Sequence, residues 1–222
     1  MADPVAHPAP AEAVSAGDLG AWLDAFPATV TGEQDADVPC GSCTGCCRSS
    51  QFIAIGPDEV DALRHIPAAL RFPAPGRPKG HVLLGYDERG HCPMLVDGAC
   101  TIYAHRPRTC RTYDCRVFPA AGLEPDEPTK AAILERVRRW RFSHDGPGGA
   151  VRHEAVRAAG RFIADAARTG PAGSVPSTAT HQAVLATEIH ERFLATDPAT
   201  GELRLVDPDP AEVRAAIDAH RP

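Results

Sequence analysis

Cys40-Gly41-Ser42-Cys43-Thr44-Gly45-Cys46-Cys47 places four thiols in eight residues and separates them only with small side chains. The stretch reads as a metal-binding loop. A C-x2-C step is the shortest spacing that lets two thiolates reach one metal from a tight turn, and small residues between them let backbone amides point at sulfur. Its partner is His91-Cys92-Pro93, Cys100 and Cys110-Arg111-Thr112-Tyr113-Asp114-Cys115, which carry the other four cysteines. All eight cysteines lie between positions 40 and 115, so any metal chemistry or metal staple belongs to that segment.

A chain of 222 residues suffices for one domain with extensions or for two small ones. The apolar fraction is 43%, yet only twelve residues are aromatic, so the core must rely on Ala, Val, Leu and Ile. A bound metal then matters more for stability. The formal net charge of −6 argues against a general nucleic-acid binder, because phosphate recognition needs a basic field. No segment reaches the roughly 20 apolar residues of a membrane span, and the N-terminus lacks the positive start and apolar run of a secretion signal. These features lead us to expect a cytoplasmic protein that engages neither membrane nor nucleic acid. In a reducing compartment, clustered cysteines read as metal ligands and not as disulfides.

Residues 1–16 are rich in Ala and Pro and read as a flexible tail. Leu19, Trp22, Leu23 and Phe26 recur at helical spacing, which predicts a short helix over 18–26. Gln51–Gly56 and His81–Tyr86 read as strands. Pro57-Asp58-Glu59 reads as the start of a helix running to about His65, since proline suits the first turn and acids favour the positive end of the helix dipole. The Pro- and Gly-rich residues 67–80 read as a loop. Asp97-Gly98, between Met94-Leu95-Val96 and Ala99-Cys100-Thr101-Ile102-Tyr103, predicts a tight hairpin with Cys92 and Cys100 on its two arms.

Beyond Ala120 the pattern turns helical and cysteine-free. Ile133, Leu134, Val137 and Trp140 form one apolar face, and Val151, Ala155, Ala159, Phe162 and Ile163 another, with Gly146–Gly149 as the turn between two helices. Further helices are expected over 181–195 and 211–220, with a short strand over 202–206. The expected architecture is α+β: a flexible tail (1–16), a metal-stapled cysteine domain with short strands and a hairpin (17–120), and a mainly helical extension packed on it (121–222).

The repeated C-x2-C step resembles the first three ligands of a bacterial ferredoxin cluster, where a distant cysteine followed by proline is the fourth. The working assignment is therefore Cys40, Cys43, Cys46 and Cys92 for one site, leaving Cys47, Cys100, Cys110 and Cys115 for a second. Cys46 and Cys47 are neighbours and are not expected to serve one tetrahedral zinc together. Either they serve two sites, or both bind one polynuclear centre. His81, His91 and His105 are additional ligand candidates within the segment.

With these residues assembled, the chain resembles the bacterial CxxCxxCC family of cysteine-cluster, zinc- or iron-chelating proteins, some of them labelled iron–sulfur oxidoreductases. The resemblance rests on Cys40 to Cys47, on Cys92-Pro93, and on the run from Gly98 to Cys115 with Ile102-Tyr103, Arg106-Pro107 and Cys110-Arg111 in family order. It covers roughly residues 38–118 and implies a metal or iron–sulfur site. A related group methylates lysines of flagellin, but no glycine-rich fingerprint for a methyl donor occurs here, so that activity is not carried over.

Arg106, Arg108, Arg111 and Arg116 crowd around Cys110 and Cys115. They could stabilise an anionic thiolate centre, bind an anionic substrate, or pair with acids on a solvated face. Arg106 and Arg111 are the candidates for contact with a cofactor. Tyr103 and Tyr113 flank the same cysteines, as shielding residues or as carriers of protons or radicals. These four are the candidate catalytic residues, and the favoured enzymatic reading is a metal-dependent oxidoreductase. The overall reading is an iron centre, iron–sulfur or other polynuclear or non-haem iron, serving redox chemistry or electron transfer with a redox partner or a small-molecule or protein substrate. The alternative is zinc in a structural module or in a thiolate-based modifying enzyme.

Overall fold

The computed structural model describes residues 12–220, so most of the expected N-terminal tail lies outside the described residues. Val14–Asp18 nevertheless forms a strand, β1, which takes the last residues of the expected tail into the fold. The Asp18 side chain accepts a hydrogen bond from the Ala21 amide at 2.9 Å and so caps helix α1, Leu19–Val30. Leu19, Trp22, Leu23 and Phe26 are buried along one face of α1, as their spacing predicts.

The cysteine loop follows α1 and ends in a 3-10 turn, Cys46–Arg48. Then come β2 (Ile53–Ile55), α2 (Val60–His65), β3 (Arg71–Pro73) and β4 (Val82–Leu84). The expected loop over 67–80 thus contains a strand. Strand order β2-β4-β3 places β3 at the sheet edge, where a terminal proline costs no ladder hydrogen bond.

Next are β5 (Leu95–Val96) and β6 (Ala99–Cys100), paired through Leu95↔Cys100 and Val96↔Ala99. Asp97 and Gly98 both have positive φ, 48° and 77°, as a two-residue hairpin turn of the primed type requires. Two short helices then follow that local periodicity does not reveal, α3 (Arg108–Thr112) and α4 (Val117–Ala121).

The remaining elements are α5 (Ala131–Val137), β7 (Trp140–Ser143), α6 (Gly149–Thr169), α7 (Ala179–Ile189), β8 (Leu194–Thr196), β9 (Leu203–Leu205) and α8 (Pro210–Ala219). Trp140 therefore opens a strand instead of extending the apolar face of α5. The Gly146–Gly149 turn joins β7 to α6. β7 pairs in parallel with β1, bringing residues 14–18 against 140–143. The helix expected over 181–195 ends at Ile189, and a 3-10 turn passes the chain into the β8–β9 hairpin.

Two hydrophobic clusters organise these elements. The larger joins Leu19, Trp22 and Phe26 of α1 to Phe118 of α4, Ile133 of α5, Trp140 of β7, and the inner faces of α6, α7 and α8. Val117, Phe118, Ala120 and Ala121 are buried in it, so an expected boundary at 120 falls inside α4, and the cysteine segment and the helical half share one core there. A Cβ on Gly160 of α6 would collide with the Ala121 carbonyl, so only glycine permits α6 to cross α4 this closely. The smaller cluster has four buried side chains, Ile55, Ile66, Leu84 and Ile102, with Cys92, Met94 and Cys100 packed against them. So small a core supplies little stability alone. No helix among the described residues is long and apolar enough to cross a membrane.

Candidate metal centre

The cysteine loop is set down on the helical half through its backbone. A tight turn brings the Cys43 amide to the Cys40 carbonyl at 3.0 Å. Arg136 of α5 donates to the carbonyl of Pro39 at 2.8 Å while its guanidinium lies over the Trp140 ring at 4.2 Å. Arg136 is therefore a tether for the loop. A Cβ on Gly45 would sit 2.8 Å from the Ala132 carbonyl, so the glycine in this loop permits close approach to α5.

Seven of the eight cysteines, all but Cys115, line one cavity of about 390 Å³. Its other walls include Ile53, Leu84, Met94, Ile102, Tyr103, Arg106 and Tyr113. A second cavity, about 350 Å³ beside α1, is lined by Trp22, Asp35, Asp114 and Arg116 among others and contains no cysteine. The thiols place the chemistry in the first.

Electrostatic proximity sorts the thiols into two sets. Cys46 is pushed well above the ordinary thiol range, first by burial and then by Cys115, Cys40, Cys47 and Cys43. Part of its surface is nevertheless exposed. The two descriptions agree if that surface faces the cavity it lines, with protein crowding the thiol elsewhere. Cys115 is pushed up to about 12 by burial, then by Asp114, Cys40 and Cys43, against the opposing effect of the Trp140 indole, which donates to its sulfur at 3.2 Å. Cys47 rises to about 11 through burial, Cys92 and Cys100, with a smaller push from Cys43. Cys110 rises to about 12 through burial, Cys92, Cys47 and Cys100.

The couplings gather Cys40, Cys43, Cys46 and Cys115 on one side and Cys47, Cys92, Cys100 and Cys110 on the other, with Cys47 also acting on Cys46, and Cys43 on Cys47, across the divide. The pairing drawn from sequence exchanges Cys92 and Cys115 relative to this arrangement. The Cys92 amide donates to the Cys47 carbonyl at 2.7 Å, which holds Cys92 beside Cys47. Cys115 is embedded in the large core just before α4.

The arginines divide too. Arg108 pairs with Asp58, Arg111 with Asp35, and Arg116 with Asp114. Arg111 also donates to the Arg106 carbonyl at 3.1 Å and is not among the residues that line the cavity. Arg106 alone of the four lines it. Its guanidinium lies 3.7 Å from the centre of the Tyr103 ring, and its Nε donates to the Tyr103 carbonyl at 2.9 Å. Its positive charge opposes the upward shifts of Cys47 and Cys110. Tyr103 is 57% exposed, at the outer edge of the cavity. Tyr113 is largely enclosed, and burial, then Cys46 and Cys115, push its phenol above the ordinary range.

The Tyr113 hydroxyl and the Gln51 amide nitrogen are buried without a hydrogen-bond partner, and both residues line the thiol cavity. Orphaned donors beside seven thiols fit a cavity whose occupant offers acceptors. The donor set itself, eight cysteines with Arg106 nearby, suits soft, thiophilic metals. None of His81, His91 and His105 lines the cavity. His81 Nδ1 lies 3.0 Å from the Pro78 carbonyl, and His105 faces Asp61.

Fold and site together define a cysteine-rich metal-chelating domain joined to a helical body. Residues 39–132 match the CxxCxxCC family model, described as "Putative zinc- or iron-chelating domain". No curated protein and no solved structure matches the chain.

Metal capture must displace protons here. With Cys47 near 11 and Cys110 and Cys115 near 12, these thiols are protonated at neutral pH. Each thiol converted to a ligand then releases one proton, so apparent affinity rises by about one decade per pH unit for every thiol used. Competition with a chelator between about pH 6 and about pH 8 should show affinity climbing steeply as pH rises. A slope shallower than one decade per unit would mean that the thiols are already ionised.

Proposed function

We propose that the two thiol sets hold iron, as iron–sulfur or other polynuclear centres, and that the domain serves redox chemistry or electron transfer. The spread of the sulfurs carries this reading. Zinc bonds thiolate sulfur at about 2.3 Å, so any two sulfurs on one zinc lie within about 4.6 Å. Among the described residues no three cysteine sulfurs lie within 4.8 Å of one another, although seven of these residues surround one cavity. A centre of several metal atoms spans the wider separation, and the C-x2-C-x2-C run from Cys40 to Cys46, the spacing of a bacterial ferredoxin's first three ligands, favours iron over a zinc–thiolate cluster in that role.

An iron–sulfur centre supplies one-electron transfer when bound. The protein's part is to hold, tune and dry the site. Ile53, Leu84, Met94 and Ile102 exclude water from one side. Arg106, the Trp140 indole at Cys115, and the Gly45 amide, which donates to the Cys43 sulfur at 3.5 Å, place positive charge and donors at sulfur. Such donors stabilise the more negative, reduced state and raise the potential. A redox partner or small-molecule substrate approaches beside exposed Tyr103.

Anaerobic purification, absorption spectroscopy and analysis for metal and acid-labile sulfide test the proposal. Iron with sulfide, and broad absorption near roughly 400 nm that bleaches on reduction, is the expected result. Colourless protein with stoichiometric zinc would replace the redox reading with a structural zinc module.

A further inference from the structure

The geometry points to a second cation site, separate from the thiols, built from Asp61, His65 and His105. Asp61 and His65 stand four residues apart on α2 and therefore share a helix face. His105 arrives from the 3-10 turn Tyr103–His105, far along the chain. Its Nδ1 lies 2.7 Å from Asp61 Oδ2, and His65 Nδ1 lies 3.7 Å from Asp61 Oδ1, so each carboxylate oxygen faces one imidazole. His65 Nδ1 also lies 2.9 Å from the Asp61 carbonyl. These three are the only group of potential metal-ligating side chains among the described residues whose ligand atoms all lie within 4.8 Å of one another.

Two imidazoles and a carboxylate suit a divalent first-row cation such as zinc, whereas magnesium and calcium favour all-oxygen sets. Bonds of about 2.0–2.2 Å hold such ligand atoms within about 4.4 Å of one another, so the cluster becomes a ligand set once the imidazoles shift and each Nδ1 gives up the proton it donates to Asp61. The imidazoles are already gathered, stacked with centroids 3.5 Å apart and planes 3° from parallel. A ring nitrogen binds metal in the ring plane, so a cation must tilt the stack open. The ligands keep 65%, 40% and 39% of their side-chain surfaces exposed, which leaves the other coordination positions to water. Arg64, on the same helix, also acts on Asp61 but does not pair with it at salt-bridge distance.

The site would clamp α2 to the turn that carries Tyr103 and leads into Arg106, two residues of the thiol cavity wall. The test uses the full chain with its thiol sites already filled, titrated with Zn²⁺ and counted for zinc per chain after gel filtration. Wild type should take up one additional zinc. His65→Ala and His105→Ala should bind it at least tenfold more weakly, Asp61→Asn should weaken it while sparing the shape of α2, and His81→Ala should behave as wild type. Circular dichroism checks that each variant is folded. No additional zinc on wild type, or uptake that persists undiminished in the folded His65→Ala and Asp61→Asn variants, would overturn the site and leave the cluster a hydrogen-bonded latch.

Discussion

Serine in place of Cys115 should empty the centre proposed for Cys40, Cys43, Cys46 and Cys115, and should spare the one proposed for Cys47, Cys92, Cys100 and Cys110. Serine in place of Cys92 should do the reverse. Each single variant should retain about half of the wild-type metal, and in Cys115→Ser the introduced hydroxyl should still accept the Trp140 hydrogen bond, which limits structural damage. Double variants give the sharper readout, because losses within one unit do not add whereas losses in independent units do. Cys40→Ser/Cys115→Ser should retain as much metal as Cys115→Ser alone. Cys92→Ser/Cys115→Ser should retain none. The pairing drawn from sequence makes a different prediction, since there Cys40 and Cys92 belong together. Metal lost in Cys40→Ser/Cys92→Ser only to the level of Cys92→Ser would restore that pairing, and total loss in either single variant would indicate one joint centre.

The difference between these pairings shows where sequence reading stops. The C-x2-C steps, the Asp97-Gly98 hairpin and the apolar faces of α1 and α6 are local patterns, set by turn chemistry and periodicity within a few residues, and they are legible. The partner of Cys46 is not, because spacing shows which thiols are near in the chain but not which side of a turn each faces. Val14–Asp18 becomes a strand only by pairing with Trp140–Ser143, and nothing in an Ala- and Pro-rich stretch announces a partner more than a hundred residues away. α4 has five residues, too few to display a helical period, yet Phe118 in it is fully buried at the centre of the large core. The apolar composition around Trp140 fits a strand or a helix equally, and tertiary pairing decides for the strand. Asp61 and His65 carry no ligand signal in the sequence because their companion, His105, is distant in the chain.

Loss of the Arg116 guanidinium should be the most damaging single change away from the cysteines. Asp114 and Arg116 flank Cys115 and form a buried ion pair at 2.7 Å, with side chains only 2% and 9% exposed. Arg116 also donates from Nη1 to the Ala16 carbonyl of β1 at 3.1 Å, and Asp114 accepts from the Trp22 indole of α1 at 2.8 Å. The pair thus bolts the last cysteine to both N-terminal elements. Removing one partner strands a buried charge, at a cost of about 3–5 kcal/mol. That is a large share of the roughly 5–15 kcal/mol by which domains are stable. Arg116→Ala should lower the urea midpoint markedly with an unchanged slope. Arg116→Lys should rescue it poorly, because the Nε and Nη2 contacts to Asp114 and the Nη1 contact to Ala16 need a planar fork. Arg138→Ala, which breaks an exposed pair with Glu124, provides the comparison and should barely move the midpoint. Because the bolt lies beside Cys115, metal retention in Arg116→Ala should fall in the Cys40, Cys43, Cys46 and Cys115 set before the other. Equal midpoints for Arg116→Ala and Arg138→Ala would show that water reaches the pair and that the fold of the Cys115 segment rests on its thiol contacts instead.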